Sequence, residues 1–263
     1  MYELLNADLI KLNLKTAKIG REIIIYQSTS STNDIAAEYA NGGGGDGLVV
    51  LAEQQTAGRG RRANKWFSPA GKSILCSILL CDNGIASDII PLVSAVAAAE
   101  AISKCGCADA KIKWPNDIFL AGRKVAGILI DGIVRAGQKF YVIGIGINCH
   151  QGREDFSGEL RDSATSIDIQ TGDICDRNKI AGELITNFER CLTAASENPA
   201  SIIEKWQSRD MLLGKRITIE HNGQQFTGQC IGIEPTKGLT IQLESGGSRM
   251  FDAACTTVLK SWE

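Results

Sequence analysis

With 263 residues, of which 44% are hydrophobic and 22% charged, the chain has the composition of an ordinary folded protein, which excludes disordered and fibrous classes and leaves room for one sizeable core plus a small appended domain. A formal net charge of -2 excludes a broad nucleic-acid footprint, since such a surface would make the chain basic. No apolar run reaches the roughly 18 residues of a membrane span, and Asp8 and neighbouring charges stand where a signal peptide needs its apolar stretch, so no membrane contact and a cytoplasmic location are expected.

Residues 1–20 contain only short amphipathic pieces around Leu4-Leu5 and Leu9-Ile10, an N-terminal segment too small to be a domain. Ile23 to Tyr26 reads as a strand, followed by a Ser/Thr run and an alanine-rich helix from Asp34 to Ala40. Thr32 or Asn33 is placed to cap that helix, because a short side-chain oxygen there accepts an orphan amide of the first turn. Asn41 and four glycines end it. Leu48 to Ala52 has the texture of a buried strand and delivers the chain into Gly58-Arg59-Gly60-Arg61-Arg62. Between Glu53 and Lys65 the only apolar side chains are Ala57 and Ala63, so burial cannot order this loop, and it is expected to be mobile until an anion binds.

Ile74 to Leu80 is the next strand, and Ile89 to Lys104 a helix with Pro91 in its first turn, apolar around much of its surface and so expected beneath the sheet. The alternation Lys111, Ile112, Lys113, Trp114 marks a half-buried strand stopped by Pro115. Ile118 to Leu120, a turn at Ala121-Gly122 and Lys124 to Asp131 predict a hairpin, and Phe140 to Asn148 adds a third strand after Arg135-Ala136-Gly137. Consecutive strands on short turns give an α+β class, with a mixed or antiparallel sheet and helices on one face. Apolar residues at 3.6-residue spacing from Ile180 to Leu192, and Ile202, Ile203 and Trp206 after Pro199, predict further helices. Beyond Gly214, short runs separated by Asn222-Gly223, Lys237-Gly238 and Gly246-Gly247 predict a small all-β barrel. The expected organisation is an N-terminal segment over 1–20, a main domain over 21–212 and a barrel over 213–263.

Glycines let main chain approach a ligand, and arginines offer fixed forks of donors to phosphate or carboxylate, so the arginine loop is built to surround something anionic. The cluster Lys113-Trp114-Pro115-Asn116-Asp117 collects a lysine, an amide and a carboxylate, the groups that hold a nucleotide and its magnesium. Together they point to chemistry on ATP. The nine cysteines fall mostly singly in apolar settings, and the close pair Cys105 and Cys107 lacks partners at zinc spacing, so they are expected to pack as reduced thiols. His150 and His221 show no partner pattern for nucleophilic or metal work.

Gly58-Arg59-Gly60-Arg61-Arg62-Ala63-Asn64-Lys65-Trp66, Lys113-Trp114-Pro115-Asn116-Asp117, Arg123-Lys124-Val125-Ala126-Gly127-Ile128-Leu129, Gly144-Ile145-Gly146-Ile147-Asn148 and, upstream, Ser31-Thr32-Asn33-Asp34 together resemble the motif set of biotin protein ligases, in family order over residues 22–260. Ala63 departs from the pattern, where the family's loop has a further glycine. The resemblance implies a class II aminoacyl-tRNA synthetase-like catalytic domain followed by an SH3-like β-barrel. It implies ATP and biotin as substrates with Mg2+, formation of biotinyl-adenylate, and transfer to a lysine of a biotin carboxyl carrier protein or domain. It also implies a homodimer through a strand edge. Some family members carry an N-terminal helix-turn-helix, but about twenty residues before the first core strand are too few for that module, so a form without its own DNA-binding domain is expected. A lipoate ligase, which would lack this loop, and a non-catalytic biotin-binding regulator are the competing readings.

Residue by residue, the resemblance places Ser31, Thr32, Asn33, Gln55, Arg59, Gly60, Arg61 and Lys124 around biotin, and Gly58, Arg61, Arg62, Trp66, Lys113, Asn116 and Asn148 around the adenylate. Asp117 becomes a magnesium ligand, and Lys124 with Arg61 the catalytic cations. Plainer roles stand beside these: Ser31 to Asn33 as helix caps, Asn116 and Asp117 as turn residues, Asn148 as a polar strand end, and Trp114 as core.

Overall fold

In a computed structural model, which describes residues 2–12, 14–41, 45–82, 84–106, 109–135, 137–158 and 160–262, the alternating runs build a seven-stranded sheet. Its strands are β1 (Ile23–Tyr26), β2 (Val49–Ala52), β3 (Ser73–Cys81), β4 (Lys111–Lys113), β5 (Asp117–Leu120), β6 (Arg123–Arg135) and β7 (Gln138–Asn148). They lie in the order β1-β2-β3-β7-β6-β5-β4. Only β1 and β2 run parallel, because the α2 helix (Thr32–Asn41) crosses between them; α1 (Ala7–Leu12) precedes β1. The other neighbours are antiparallel. Glycines 42–44, Cys107 and Ala136, which figure in the sequence reading, lie outside the described residues, as does the side chain of Ala63.

Strand alternation divides the core. Val49, Leu51, Ile74, Cys76, Ile78, Ile143, Ile145 and Ile147 face the larger cluster, into which α3 (Ile90–Ser103) and α6 (Arg177–Glu197) pack. Val50, Leu79, Phe140 and Val142 face the other way, onto Ala36 and Ala40 of α2. Helices therefore cover both faces of the sheet, correcting the expectation of one. The reason is period two: each strand of the middle of the sheet is apolar on both sides. The larger face also takes α7 (Pro199–Gln207); α4 (Leu160–Ser163) and α5 (Ile167–Thr171) lie between β7 and α6 in the chain.

The C-terminal residues form a five-stranded antiparallel sheet of β8 (Arg216–His221), β9 (Gln224–Glu234), β10 (Gly238–Leu243), β11 (Ser248–Phe251) and β12 (Thr256–Trp262), in the order β11-β10-β9-β8-β12. β11 and β12 are its two edges and do not pair, so among the described residues hydrogen bonding does not close the expected barrel. β12 has no counterpart in the sequence reading. Ile217, Ile241 and Phe251 belong to the same core cluster as the main sheet. No helix among the described residues is long and apolar enough to cross a membrane.

Candidate active site

A cavity of about 160 Å3 opens over the end of the main sheet where β6 and β7 turn to glycine. Gly127 and Gly146 are directly opposed across the β6–β7 ladder. A Cβ on Gly146 would stand 2.6 Å from the Trp66 ring and one on Gly127 3.1 Å from it, so the indole lies on bare backbone. Further along β7, a Cβ on Gly144 would meet Asn33 Oδ1 at 2.4 Å. The larger side chains Phe140 and Val142 fill the same face of that strand beyond the cavity.

Lys124 reaches this face through an irregularity. Against β5, Ala126 pairs with Ile118 and Lys124 with Phe119, so Val125 is an extra residue on β6. Val125 and Ala126 are both buried in the larger core. The bulge thereby turns Lys124 to the cavity side, where regular alternation would have set it with Ala126. Its Nζ lies 2.6 Å from Asp117 Oδ1 and 5.8 Å from the centroid of the Trp66 ring.

At the α2 end of the cavity, hydroxyls and amides interlock. Thr32 donates from N and Oγ1 to Gln55 Oε1 at 2.8 and 2.9 Å. Ser77 Oγ lies 2.7 Å from Thr32 Oγ1 and 2.6 Å from Asn33 Oδ1, and Asn33 Nδ2 donates to Asp131 Oδ2 at 3.0 Å. The helix starts at Thr32, so Thr32 and Asn33 stand in its first turn and spend their side chains on the sheet and loop rather than on a cap. Ser31 lines the cavity beside them.

In the arginine loop, backbone hydrogen bonds stand where apolar anchors are missing. Gly60 N donates to Asn64 O at 2.7 Å and Trp66 N to Gly58 O at 2.9 Å, closing the loop around a 3-10 turn at Arg61–Ala63. A Cβ on Gly58 would fall 2.4 Å from the Trp66 carbonyl oxygen, so only glycine fits there. The arginines then reach outward. Arg59 Nη2 pairs with Asp34 Oδ1 at 2.7 Å and Asp131 Oδ2 at 3.2 Å. Arg61 donates to Asn116 Oδ1 at 3.2 Å and to the Ala253 carbonyl of the C-terminal sheet. Arg62 donates to Thr257 Oγ1 at 2.8 Å and to the Cys255 carbonyl at 3.1 Å, with Glu220 at 3.4 Å.

Among the described residues, the cavity is lined by six cations, Arg59, Arg61, Arg62, Lys65, Lys113 and Lys124, against one carboxylate, Asp117. Burial lowers the pKa of Arg61, with Asp117 opposing and Arg62 adding to the shift. Burial likewise lowers that of Lys113, which Asp117 counters and Lys124 reinforces. Partly desolvated cations in excess make the cavity a receptor for anions. Asn116 is fixed by Nδ2 donation to the Ile128 carbonyl at 2.7 Å.

Of the residues singled out in the sequence, Ser31, Thr32, Asn33, Gln55, Arg59, Gly60, Arg61, Arg62, Trp66, Lys113, Asn116, Asp117 and Lys124 all line this cavity. Gly58 lines an adjoining opening that shares the loop residues with it. Asn148 stands apart, donating to the Thr165 carbonyl and accepting from Gln151 in a buried network with Ser68 and Ser73. Trp114 is 2% exposed and sits in the core. Sequence reasoning missed Ser77, Asp131 and the carbonyls of Ala253 and Cys255. Ser77 was detectable as the polar residue inside an apolar strand; a main-chain carbonyl leaves no trace in sequence. The buried cysteines pack as expected, and burial pushes the Cys76 thiol up to about 12.

Residues 25–148 match the model of the biotin/lipoate A/B protein ligase family. The bifunctional ligase/repressor BirA of Bacillus spizizenii is 32% identical over 251 residues, which cover 93% of this chain and 76% of that protein. A biotin–[acetyl-CoA-carboxylase] ligase of Mycobacterium tuberculosis is 32% identical over 219 residues, 78% of this chain and 77% of its own. Among solved structures, the biotin protein ligase from Aquifex aeolicus in complex with biotin and ATP is similar with a TM-score of 0.77 and 25% identity, over 92% of this chain and 100% of that one.

Proposed function

The chain belongs to the biotin protein ligase family, and from that premise we propose how its residues carry out the ATP-dependent ligation of biotin to protein. The reaction joins the biotin carboxylate to the α-phosphorus of ATP, releasing pyrophosphate; a lysine amine of a biotin carboxyl carrier protein then attacks the acyl carbon and AMP leaves. The observation that carries this reading is that the loop and strand cations converge on one cavity whose far end is a hydroxyl and amide cluster.

Biotin's ureido ring offers one acceptor and two donors, which Ser31, Thr32, Asn33 and Gln55 can meet. That end of the cavity takes the head, and the carboxylate points along the glycine floor toward Lys124. The carboxylate and the triphosphate repel one another, so bringing them together needs fixed cations. Lys124, positioned by the bulge and held by Asp117, neutralises charge at the reacting oxygens; Arg61, Arg62 and Lys113 serve the phosphates. Because Arg61 and Lys113 are already partly desolvated, an entering anion is stabilised more strongly there than at a fully hydrated cation. Arg59, Gly60 and Gly58 shape the loop over the biotin and the adenylate, and Trp66 and Asn116 flank the nucleotide. Asn148 acts through the network with Gln151 rather than by contact. Mg2+ fits here only in company with phosphate oxygens, since Asp117 is the lone carboxylate on the wall among the described residues; it would screen phosphate charge. On this reading residues 21–212 are a class II aminoacyl-tRNA synthetase-like catalytic domain, 213–263 an SH3-like module and 1–20 an N-terminal segment.

Incubation with biotin, ATP, Mg2+ and an acceptor domain should add one biotinyl group per acceptor by intact mass, and ATP–pyrophosphate exchange should depend on biotin rather than lipoate. Lys124→Ala should lower kcat/KM about 100-fold or more. Absence of both exchange and labelling would end this reading.

A further inference from the structure

Away from the cavity, the end of β7 gathers side chains that the sequence keeps far apart. His150 lies just past the strand, Asp168 is in the first turn of α5, and Cys175 stands one residue ahead of Asp176, the α6 N-cap. His150 is 4% exposed. Its Nδ1 is 2.8 Å from Asp168 Oδ2 and 3.9 Å from Cys175 Sγ, and the three ligand atoms lie within 4.8 Å of one another. The neighbouring Cys149 thiol is turned elsewhere, donating to the Ile147 carbonyl at 3.7 Å. Asp168 Oδ1 accepts from Cys175 N at 2.9 Å, so one oxygen fixes the cysteine backbone while the other faces the imidazole. The Tyr2 ring stacks on the imidazole at 4.1 Å, with planes 7° apart. The expectation that His150 lacks partners is thus corrected. They come from 18 and 25 residues along the chain, at no motif spacing.

A thiol nucleophile does not fit this geometry. Carboxylate and thiol both approach Nδ1, whereas a proton relay needs them on different ring nitrogens. The nearby Cys149 thiol and burial push the Cys175 thiol well above its ordinary pKa, so without a cation it stays protonated. One nitrogen, one oxygen and one sulfur converging on a half-buried point is a donor set for a borderline metal.

We propose that His150 Nδ1, Asp168 Oδ2 and Cys175 Sγ bind one Zn2+, with a water molecule completing the tetrahedron. In a tetrahedron with bonds of about 2.0–2.3 Å, neighbouring ligand atoms stand roughly 3.3–3.8 Å apart; the atoms here, at 2.8 and 3.9 Å and all within 4.8 Å of one another, reach that geometry with side-chain shifts of about 1 Å. The metal replaces the proton shared between Nδ1 and Oδ2 and expels the Cys175 thiol proton to solvent. It stitches the end of β7 to α5 and to the start of α6, beneath the Tyr2 ring.

The test uses the full chain, reduced and stripped with chelator, titrated with Zn2+ against a chromogenic chelator. One equivalent should bind, and Co2+ in its place should show thiolate-to-cobalt charge-transfer absorption. Cys175→Ser should weaken Zn2+ binding by at least about tenfold and diminish that absorption; His150→Gln should weaken binding comparably while retaining it. Far-UV circular dichroism checks the fold of each variant, and if one fails to fold the other decides. No stoichiometric uptake, or equal affinity in a folded variant, overturns the proposal.

Discussion

At the scale of single residues, the site is defined as much by missing side chains as by charged ones. Gly144→Ala would drive a methyl to 2.4 Å from Asn33 Oδ1, the atom that Ser77 holds. Such overpacking costs about 1–3 kcal/mol, which the pocket discharges by moving Asn33, so KM for biotin should rise roughly tenfold while KM for ATP moves less. Gly146→Ala presses on Trp66 instead, and steady-state kinetics should show the larger change on ATP. Equal effects on both substrates in both variants would contradict this division. The glycines were legible in sequence as close-approach positions, because glycine weakens a strand. What they approach was not, since Asn33 and Trp66 come from other elements.

At the scale of elements, the arginine loop and the bulged strand show where pattern reading stops. The loop's lack of apolar anchors was legible in Glu53 to Lys65, and from it followed the expectation of mobility. Beyond that, guanidinium contacts to Ala253, Cys255 and Thr257 tie the loop to the C-terminal sheet. These contacts are tertiary and carry no local signal. Arg62→Ala removes two of them, to Cys255 and Thr257, together with the pair to Glu220. At about 1 kcal/mol together, their loss should speed amide exchange of residues 57–65 roughly fivefold in the ligand-free protein. Unchanged exchange would mean that the loop's own hydrogen bonds suffice. For β6, alternation correctly set Lys124 opposite Val125, but the doubled core residues Val125 and Ala126 reveal themselves only when register is known.

At the scale of the whole molecule, a buried ion pair joins distant parts of the chain. Arg177 and Glu53 are 1% and 4% exposed, 2.7 Å apart, and also bind the Glu3 carbonyl and the Leu5 amide. Arg177→Met strands a buried carboxylate and should cost about 3–5 kcal/mol in urea unfolding, whereas Glu53→Met with Arg177→Met should cost far less. Additive losses would refute that account. Nothing in the sequence pairs residues 124 positions apart, whereas α+β class, strand order along the chain and the motif-bearing loops could be read directly. The loop's tie to the C-terminal sheet has one more implication. Two of its acceptors are peptide oxygens, which every amino acid possesses, so point changes at Ala253 or Cys255 leave the joint intact. Sequence drift can rewrite that turn freely; only an insertion or deletion that reshapes it would unfasten the two halves.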